Sequence, residues 1–366
     1  TTTVVHKIFE TAFPYHVNDN IYFDLDKYLK SHDYGELSGK VLEDLKAGSR
    51  DTEGMDEKKN PYDFALWKKA SPSHIMRWNS PWGEGFPGWH LECTTMSMKY
   101  LGQTFDIHGG GLDLQFPHHE AEIAQCKSAY GTDPVKYWVH NNMITIDGAK
   151  MSKSAGNFIN IEELFSGDHE KLEKGYGPMV VRFLMLQSHY RSKIDFSNEA
   201  LSAAEKGYQK LMNAVNLLDE LEPRENSPEE DGATDTEIMA AVQQCRDSMN
   251  DDFNTAKVLA ALFELASKIN AIQNGQLDVN SVSRNAFNIM KQTVNDFVFD
   301  ILGLQAEQKS DDSKTEELIQ LLIDIRKNAR ENKDFETSDK IRDDLKEIGV
   351  QLKDDKDGNT TYEIEP

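Results

Sequence analysis

Residues 105–126 read FDIHGGGLDLQFPHHEAEIAQC. Three consecutive glycines, three histidines, two glutamates and a cysteine share this stretch, and no other part of the chain gathers so many reactive side chains. TFDIH (104–108) is a short apolar segment that reads as a strand ending at the glycines. EAEIAQCKSAYG (120–131) reads as a helix that begins near the paired histidines, with Pro117 in a first-turn position. YWVHNNMITID (137–147) follows as another strand-like run. A strand, helix, strand alternation with glycine-rich strand ends predicts an α/β sheet.

Upstream, residues 1–60 read as polar and irregular, with KAGSRDTEGMDEKKNP (46–61) as a charged loop. VVHKIFETAFPY (4–15) reads as an amphipathic helix followed by a strand-like NIYFDLDKYL (20–29). From Pro61 the sequence turns aromatic and glycine-rich. There GWHLECTTMSMKYL (88–101) places Leu91, Met96, Met98 and Leu101 at helical spacing. Beyond Pro178 the character becomes helical, in runs at 178–190, 198–221, 235–250 and 254–272. In the last, Val258, Leu262, Leu265, Ile269 and Ile272 fall on one face. An acidic loop, EPRENSPEEDGATD (222–235), separates two of these helices, and GLQAEQKSDDSK (303–314) reads as a linker. The chain closes with VQLKDDKDGNTTYEIEP (350–366), a β-hairpin turning at Asp357-Gly358.

The 366 residues are 38% hydrophobic and 28% charged, an ordinary globular composition. No apolar run approaches a membrane span, and no signal peptide opens the sequence. Three widely spaced cysteines make no disulfide framework, so a reducing cytoplasm is expected. A net charge of −23 argues against a general polyanion binder, although it permits local basic surfaces.

Three sets of residues point to chemistry. Cys93 offers a thiolate, and His118 and Glu122, four apart, project from one helix face. Sulfur, nitrogen and oxygen donors suit tetrahedral zinc. The competing reading is a buried cysteine and a helix-capping histidine, and HHEAE lacks the HExxH pattern. Gly109, Gly110 and Gly111, with Asp113 beyond them, suit either close approach of a nucleotide whose sugar diol Asp113 binds, or a plain tight turn. The P-loop pattern GxxxxGKS/T is absent. AKMSKSAGNF (149–158) carries Lys150 and Lys153 among small residues, as a mobile loop closing over a polyphosphate would. A plain surface loop is the alternative, and this particular string disfavours it.

KMSKS (150–154) resembles the second signature of class I aminoacyl-tRNA synthetases. KNPYDFALWK (59–68), GWHLEC (88–93), residues 105–125 and 137–158, HYRSKIDFS (189–197), MNDDFNTAKVLAALFEL (249–265) and ARENKDFETSDKIRDDLKEIGV (329–350) together resemble the cysteinyl-tRNA synthetases. The resemblance covers nearly the whole chain, in order. It implies an α/β then mainly α architecture: part of a Rossmann-type catalytic domain, a helical anticodon-binding bundle and a small mixed α/β C-terminal domain. Its divisions fall at 1–60 (remainder of a connective insertion), 61–148 (second part of the catalytic domain, with the zinc site), 149–198 (KMSKS loop and stem-contact region), 199–304 (anticodon bundle) and 314–366 (C-terminal domain).

The activity implied is activation of L-cysteine by Mg-ATP to cysteinyl-adenylate, then transfer to tRNA-Cys in the cytoplasm. One zinc would sit on Cys93, His118 and Glu122, with His118 rather than His119 as the imidazole ligand. Trp89 and His108 would line the cysteine pocket, Gly110, Gly111 and Asp113 would hold the adenosine, and Lys150 and Lys153 would grip the phosphates. Arg191, Lys193, Arg326, Lys327 and Arg330 are candidate tRNA contacts. The residue choices fit the task. Shape discriminates cysteine from serine poorly, whereas zinc prefers the softer thiolate and so reads the sulfur directly.

The family's His-Ile-Gly-His signature and its first zinc-ligand cysteine do not occur in these residues. The expectation is a C-terminal portion of a synthetase, inactive by itself. Two rivals are a cysteine ligase of mycothiol synthesis and a non-catalytic zinc-containing tRNA-binding fragment. The long helical part after residue 200 favours tRNA over the first.

Overall fold

A computed structural model describes residues 2–41, 55–222, 232–306, 312–332, 334–354 and 360–364. Strand β5 (Phe105–Gly111) pairs in parallel with β6 (Val135–Asn141), and helix α4 (Glu120–Tyr130) crosses between them. The glycines do not end β5; they form its last three pairs, opposite Val139, His140 and Asn141. Pro117 precedes α4 in a kinked segment, Gln115–His119, where Phe116 is extended (φ −141°, ψ 129°), and so lies outside the first α-helical turn. Gly131, in the left-handed region at φ 68°, ends the helix.

Helix α4 is the axis of the front part. Residues 120–126 are all buried, because α1 (Thr2–Phe9) and α3 (Trp89–Leu101) both pack against it. Of the apolar positions expected to form one face of α3, Leu91 is buried and Met98 partly so, while Met96 and Leu101 are 53% and 60% exposed. The inward face runs instead through Leu91, Thr94 and Met98. Thr94 Oγ1 donates to Gln125 Oε1 at 2.6 Å, so a hydroxyl–amide pair occupies a position where hydrophobic spacing looks only for carbon.

The described residues among 1–60 are far from irregular. Strands β1 (Pro14–Val17), β2 (Asn20–Phe23), β3 (Phe64–Lys69) and β4 (Gly85–Pro87) make one antiparallel sheet across the 60/61 division. The β1–β2 hairpin turns at Asn18 and Asp19, both at positive φ (49° and 66°), as a two-residue hairpin turn demands. NIYFDLDKYL is therefore a strand followed by a short helix, α2 (Leu25–Tyr28), capped by Asp24. Phe23 stacks on Phe64 with ring centroids 4.7 Å apart, and Val5, Ile8, Leu25, Tyr28, Leu91 and Ala121 complete the same core. The loop 46–61 lies mostly outside the described residues.

One buried carboxylate ties this region to α4. Glu120 is 1% exposed and accepts from the backbone N–H of Gly35, Leu37 and Ser38 and from Ser38 Oγ, at 2.7–3.1 Å. Its removal strands three amide donors. Glu120→Ala is expected to lower unfolding free energy by about 3–5 kcal/mol, measurable by urea denaturation. A loss under about 1 kcal/mol, the worth of one ordinary hydrogen bond, would show that the clasp is ornamental.

Strands β7 (Ile144–Ile146), β8 (Ala149–Lys150) and β9 (Ile194–Asp195) form a small sheet in the order β8-β7-β9. After the short α5 (Ile161–Ser166), which opens on an Asn160–Glu163 capping box, the chain becomes helical. Helices α6 (Pro178–Leu186), α7 (Asn198–Glu220), α8 (Ala233–Asn250), α9 (Thr255–Gln273) and α10 (Arg284–Asn295) pack together. All five residues of the expected α9 face are buried. Sequence reading did not single out α10, whose run of polar residues hides a buried stripe of Ala286, Phe287, Met290 and Val294. Most of the acidic loop, residues 223–231, lies outside the described residues.

Residues 304–366 form a second compact unit. Helices α11 (Asp312–Glu331) and α12 (Phe335–Glu347) pack with the antiparallel pair β10 (Val350–Asp354) and β11 (Thr360–Ile364) around Ile319, Ile323, Leu345 and Val350. The turn at Asp357-Gly358 lies outside the described residues, as do residues 307–311 of the linker.

Candidate active site

Four elements converge beside the β5–α4 turn. Helix α3 brings Cys93, β5 brings His108, the kinked segment before α4 brings His118 and His119, and α4 brings Glu122. His118 Nε2 is 3.4 Å from Cys93 Sγ and 3.2 Å from Glu122 Oε1. Donor atoms of Cys93, His118 and Glu122 all lie within 4.8 Å of one another. Glu122 is 1% exposed, and its Oε1 makes no hydrogen bond despite that 3.2 Å approach. A buried carboxylate oxygen without a donor is costly, and its convergence with a thiol and an imidazole is the arrangement a cation would satisfy. Burial, reinforced by Glu122 and Glu92, pushes the Cys93 thiol up to about 11, so a thiolate here needs a positive partner. The residues present fit zinc.

The imidazole has its own support. His118 Nδ1 lies 2.9 Å from His90 Nδ1, which leaves Nε2 to face Cys93 and Glu122. Burial, then the neighbouring His118 and His119, holds His90 down to about 3. A neutral His90 can accept the Nδ1 proton of His118 and fix the tautomer whose Nε2 lone pair is free. His90 was missed from the sequence, where a lone histidine in GWHLEC carries no spacing signal.

His108, His119 and Glu122 make a second convergent set that shares the same glutamate. His108 Nδ1 is 3.7 Å from Glu122 Oε2, buried and without a hydrogen bond. His119 Nδ1 is 2.8 Å from His140 Nε2, and burial together with His108 and His140 lowers it to about 3. Trp89 lies at the rim, 60% exposed, its ring 4.3 Å from that of His118.

The glycines are explained mainly by the protein itself. A Cβ on Gly110 would come within 2.6 Å of the His119 ring, and one on Gly111 within 2.5 Å of Asp113 Oδ1, whereas Gly109 has room. Just past them a cavity of about 270 Å³ opens at the carboxyl ends of β5 and β6. Gly111, Asp113, Asn141, Met143, Ile144 and Lys150 line it. Parallel strands characteristically bind nucleotides in this place.

Lys150 and Lys153 part company. Lys150 lines the cavity, but Lys153 does not, and its Nζ sits 5.3 Å above the Phe158 ring. Asn157 fastens the loop, accepting from Ser152 N at 2.9 Å and donating to Lys150 O at 3.1 Å. Among the expected tRNA contacts, Arg191, Lys193, Lys327 and Arg330 are exposed. Arg326 is not: it is 5% exposed, with Nη1 3.4 Å from Thr360 Oγ1, and burial removes it from that set. Among the described residues no helix is long and apolar enough to cross a membrane.

Comparison with known proteins adds an independent line. The profile of the family described as "tRNA synthetases class I (C) catalytic domain" matches residues 1–206, and that of the "DALR domain" matches residues 244–307. Proteins named "Cysteine--tRNA ligase" are similar over almost the whole chain. That of Bacteroides fragilis is 49% identical over 358 residues, 97% of this chain and 71% of the relative. That of Bacteroides thetaiotaomicron is 50% identical over the same shares. That of Chlorobaculum tepidum is 45% identical over 98% of this chain and 70% of the relative.

Proposed function

The chain belongs to the cysteine–tRNA ligase family of class I synthetases, and from that premise we propose how its residues divide the reaction. The carboxylate oxygen of L-cysteine attacks the α-phosphorus of ATP, pyrophosphate leaves, and the cysteinyl group then passes from the adenylate to a terminal ribose hydroxyl of tRNA-Cys. Cys93, His118 and Glu122 hold zinc, with His90 fixing the His118 tautomer. When bound, the metal supplies a soft Lewis-acid contact for the substrate sulfur. Trp89 and His108 wall the side of the cysteine pocket. Gly111 and Asp113 hold the adenosine, Asp113 through the sugar hydroxyls, while Gly110 keeps β5 clear of His119. Lys150 and Lys153 draw the triphosphate into line. The reaction takes place in the cytoplasm.

The observation that carries this reading is the buried Oε1 of Glu122, without a hydrogen bond, converging with Cys93 and His118, close in sequence to a cavity of about 270 Å³ at the carboxyl ends of β5 and β6. That the relatives similar over 97–98% of this chain are named for ligation to tRNA speaks against a ligase that handles no tRNA.

Calorimetric titration of the zinc-loaded chain with L-cysteine and L-serine tests it. Cysteine should bind with a preference over serine beyond the ~10² that pocket shape gives against an isostere. Equal affinities would sink the reading of sulfur by metal.

A further inference from the structure

The hairpin that delivers Lys150 is fastened from outside itself. Strands β7 and β8 pair Thr145 with Lys150 and Ile146 with Ala149, and they turn at Asp147 and Gly148, both at positive φ (51° and 74°). Such a two-residue turn follows the twist of its strands. The amide of its second residue points out of the hairpin, however, and needs an acceptor elsewhere. Asp195, on β9, supplies one: its Oδ1 accepts from Gly148 N at 2.8 Å and from Thr145 Oγ1 at 2.7 Å. One carboxylate oxygen therefore holds both the turn and the residue paired with Lys150. Asp147 is held as well, with Lys171 Nζ 3.1 Å from its Oδ2. Asn198, three residues beyond Asp195, accepts from Glu173 N and donates to Lys171 O, both at 2.9 Å. Residues 194–198 thus reach the turn twice, directly and through Lys171.

The post to which the hairpin is tied is itself anchored. Strand β9 pairs in parallel with β7, and Phe196 N donates to Thr145 O at 2.8 Å. Just ahead of β9, Asn142 donates its backbone N–H to Tyr190 O and its Nδ2 to Arg191 O, both at 2.8 Å. Asp252, in the α8–α9 turn, accepts from Tyr190 Oη at 2.6 Å and lies 2.9 Å from Arg191 Nε. The loop beyond Lys150 is different in kind. It runs to its fastening at Asn157 through Gly156, which sits at φ 69° with open space where a Cβ would lie.

We propose that Asp195 is a positioning residue of the reaction: by clasping Gly148 and Thr145 it sets the direction in which β8 carries Lys150 into the cavity. The proposal rests on the ligase reading above, since it takes ATP to be what Lys150 meets there. A lysine is a point charge on a long flexible stem. A hairpin free to pivot about its base would spread that charge over many positions, and a cation seldom in place contributes little to holding a triphosphate in line.

Limited trypsin digestion of the full chain, with and without Mg-ATP, tests it at the bond after Lys150. Cleavage within a folded chain reports how often the local segment opens. In the parent, Mg-ATP should slow this cut. Asp195→Ala should be cut there ~10-fold faster without nucleotide, the worth of a lost bond to a charged acceptor, while sites in the helical bundle are cut as before. Mg-ATP should protect the same variant at least ~3-fold less. Charge alone predicts the reverse, because losing a carboxylate near a triphosphate favours the anion. Asp195→Asn keeps an oxygen for both donors and should restore the parent pattern, which a role for the charge would not allow. Thr145→Val deletes one of the two bonds with little change of shape and should fall between, whether or not Asp195→Ala folds. Parent-like cutting and protection in Asp195→Ala and Thr145→Val, or an Asp195→Asn variant as open as Asp195→Ala, overturns the assignment and leaves the ligase reading standing. A parent chain that Mg-ATP does not protect overturns both.

Discussion

Cys93→Ala will empty the metal site. Purified chain should carry about one zinc, and the variant close to none, by elemental analysis after gel filtration in metal-free buffer. The expectation follows from how little holds the ion. Three side chains supply the donors, one sulfur, one nitrogen and one oxygen, and the loss of any leaves two. The sulfur matters most, because a thiolate is both the softest donor and a full negative charge. His118→Gln should behave alike, since Nε2 is the atom that faces Cys93 and Glu122. His119→Gln should keep its zinc, because His119 is spent on His140 and on packing against Gly110. That contrast decides between the two sets that share Glu122. Equal zinc in the Cys93→Ala variant and the parent, with loss in His119→Gln, would move the metal to His108, His119 and Glu122.

The His118–Glu122 pair was the part of the site most legible in sequence. Residues four apart on a helical stretch must share a face, and Glu122 does lie 3.2 Å from His118. Cys93 joined the same set on its thiolate alone, with a buried cysteine as the competing reading, because nothing in a separation of 25 residues fixes a contact; the family resemblance then favoured it as a ligand. The β5–α4–β6 unit was legible for a similar reason: strand and helix periods differ, although the glycines read as the end of β5 are part of it. Elsewhere local pattern failed where long-range pairing decided the outcome. Residues 1–60 read as irregular because β1 and β2 are four residues each, too short for alternation to show. The second partner of β2, β3, lies across a charged loop. Arg326 read as a surface cation because charge predicts exposure, yet the small core of α11, α12 and the C-terminal hairpin buries it. Asp252 lies in a stretch that carries the family resemblance, yet its contacts with Tyr190 and Arg191 exist only once the α8–α9 turn meets the 189–191 loop.

The second large effect is expected at Lys153. Lys150 already lines the cavity proposed for the nucleotide, whereas Lys153 rests over Phe158 and would have to swing to reach a triphosphate there. A cation that arrives only as charge builds on the leaving pyrophosphate acts on the transition state and little on ground-state ATP. Lys153→Ala should therefore lower the rate of cysteine-dependent ATP–pyrophosphate exchange by ~10²–10³, with the KM for ATP changed less than ~3-fold. Asn157→Ala, which frees the loop without removing a charge, should cost less. Because no His-X-Gly-His sequence occurs in these 366 residues, the polypeptide as it stands is expected to give no exchange. The comparison is made in a chain joined to a relative's segment that bears the signature. There the parent should exchange and the Lys153→Ala variant nearly fail. If the KM for ATP rises tenfold while the maximal rate holds, Lys153 binds substrate instead of driving its reaction. Strong exchange by the unjoined 366 residues would show that the lysine side of the pocket suffices without the histidine signature.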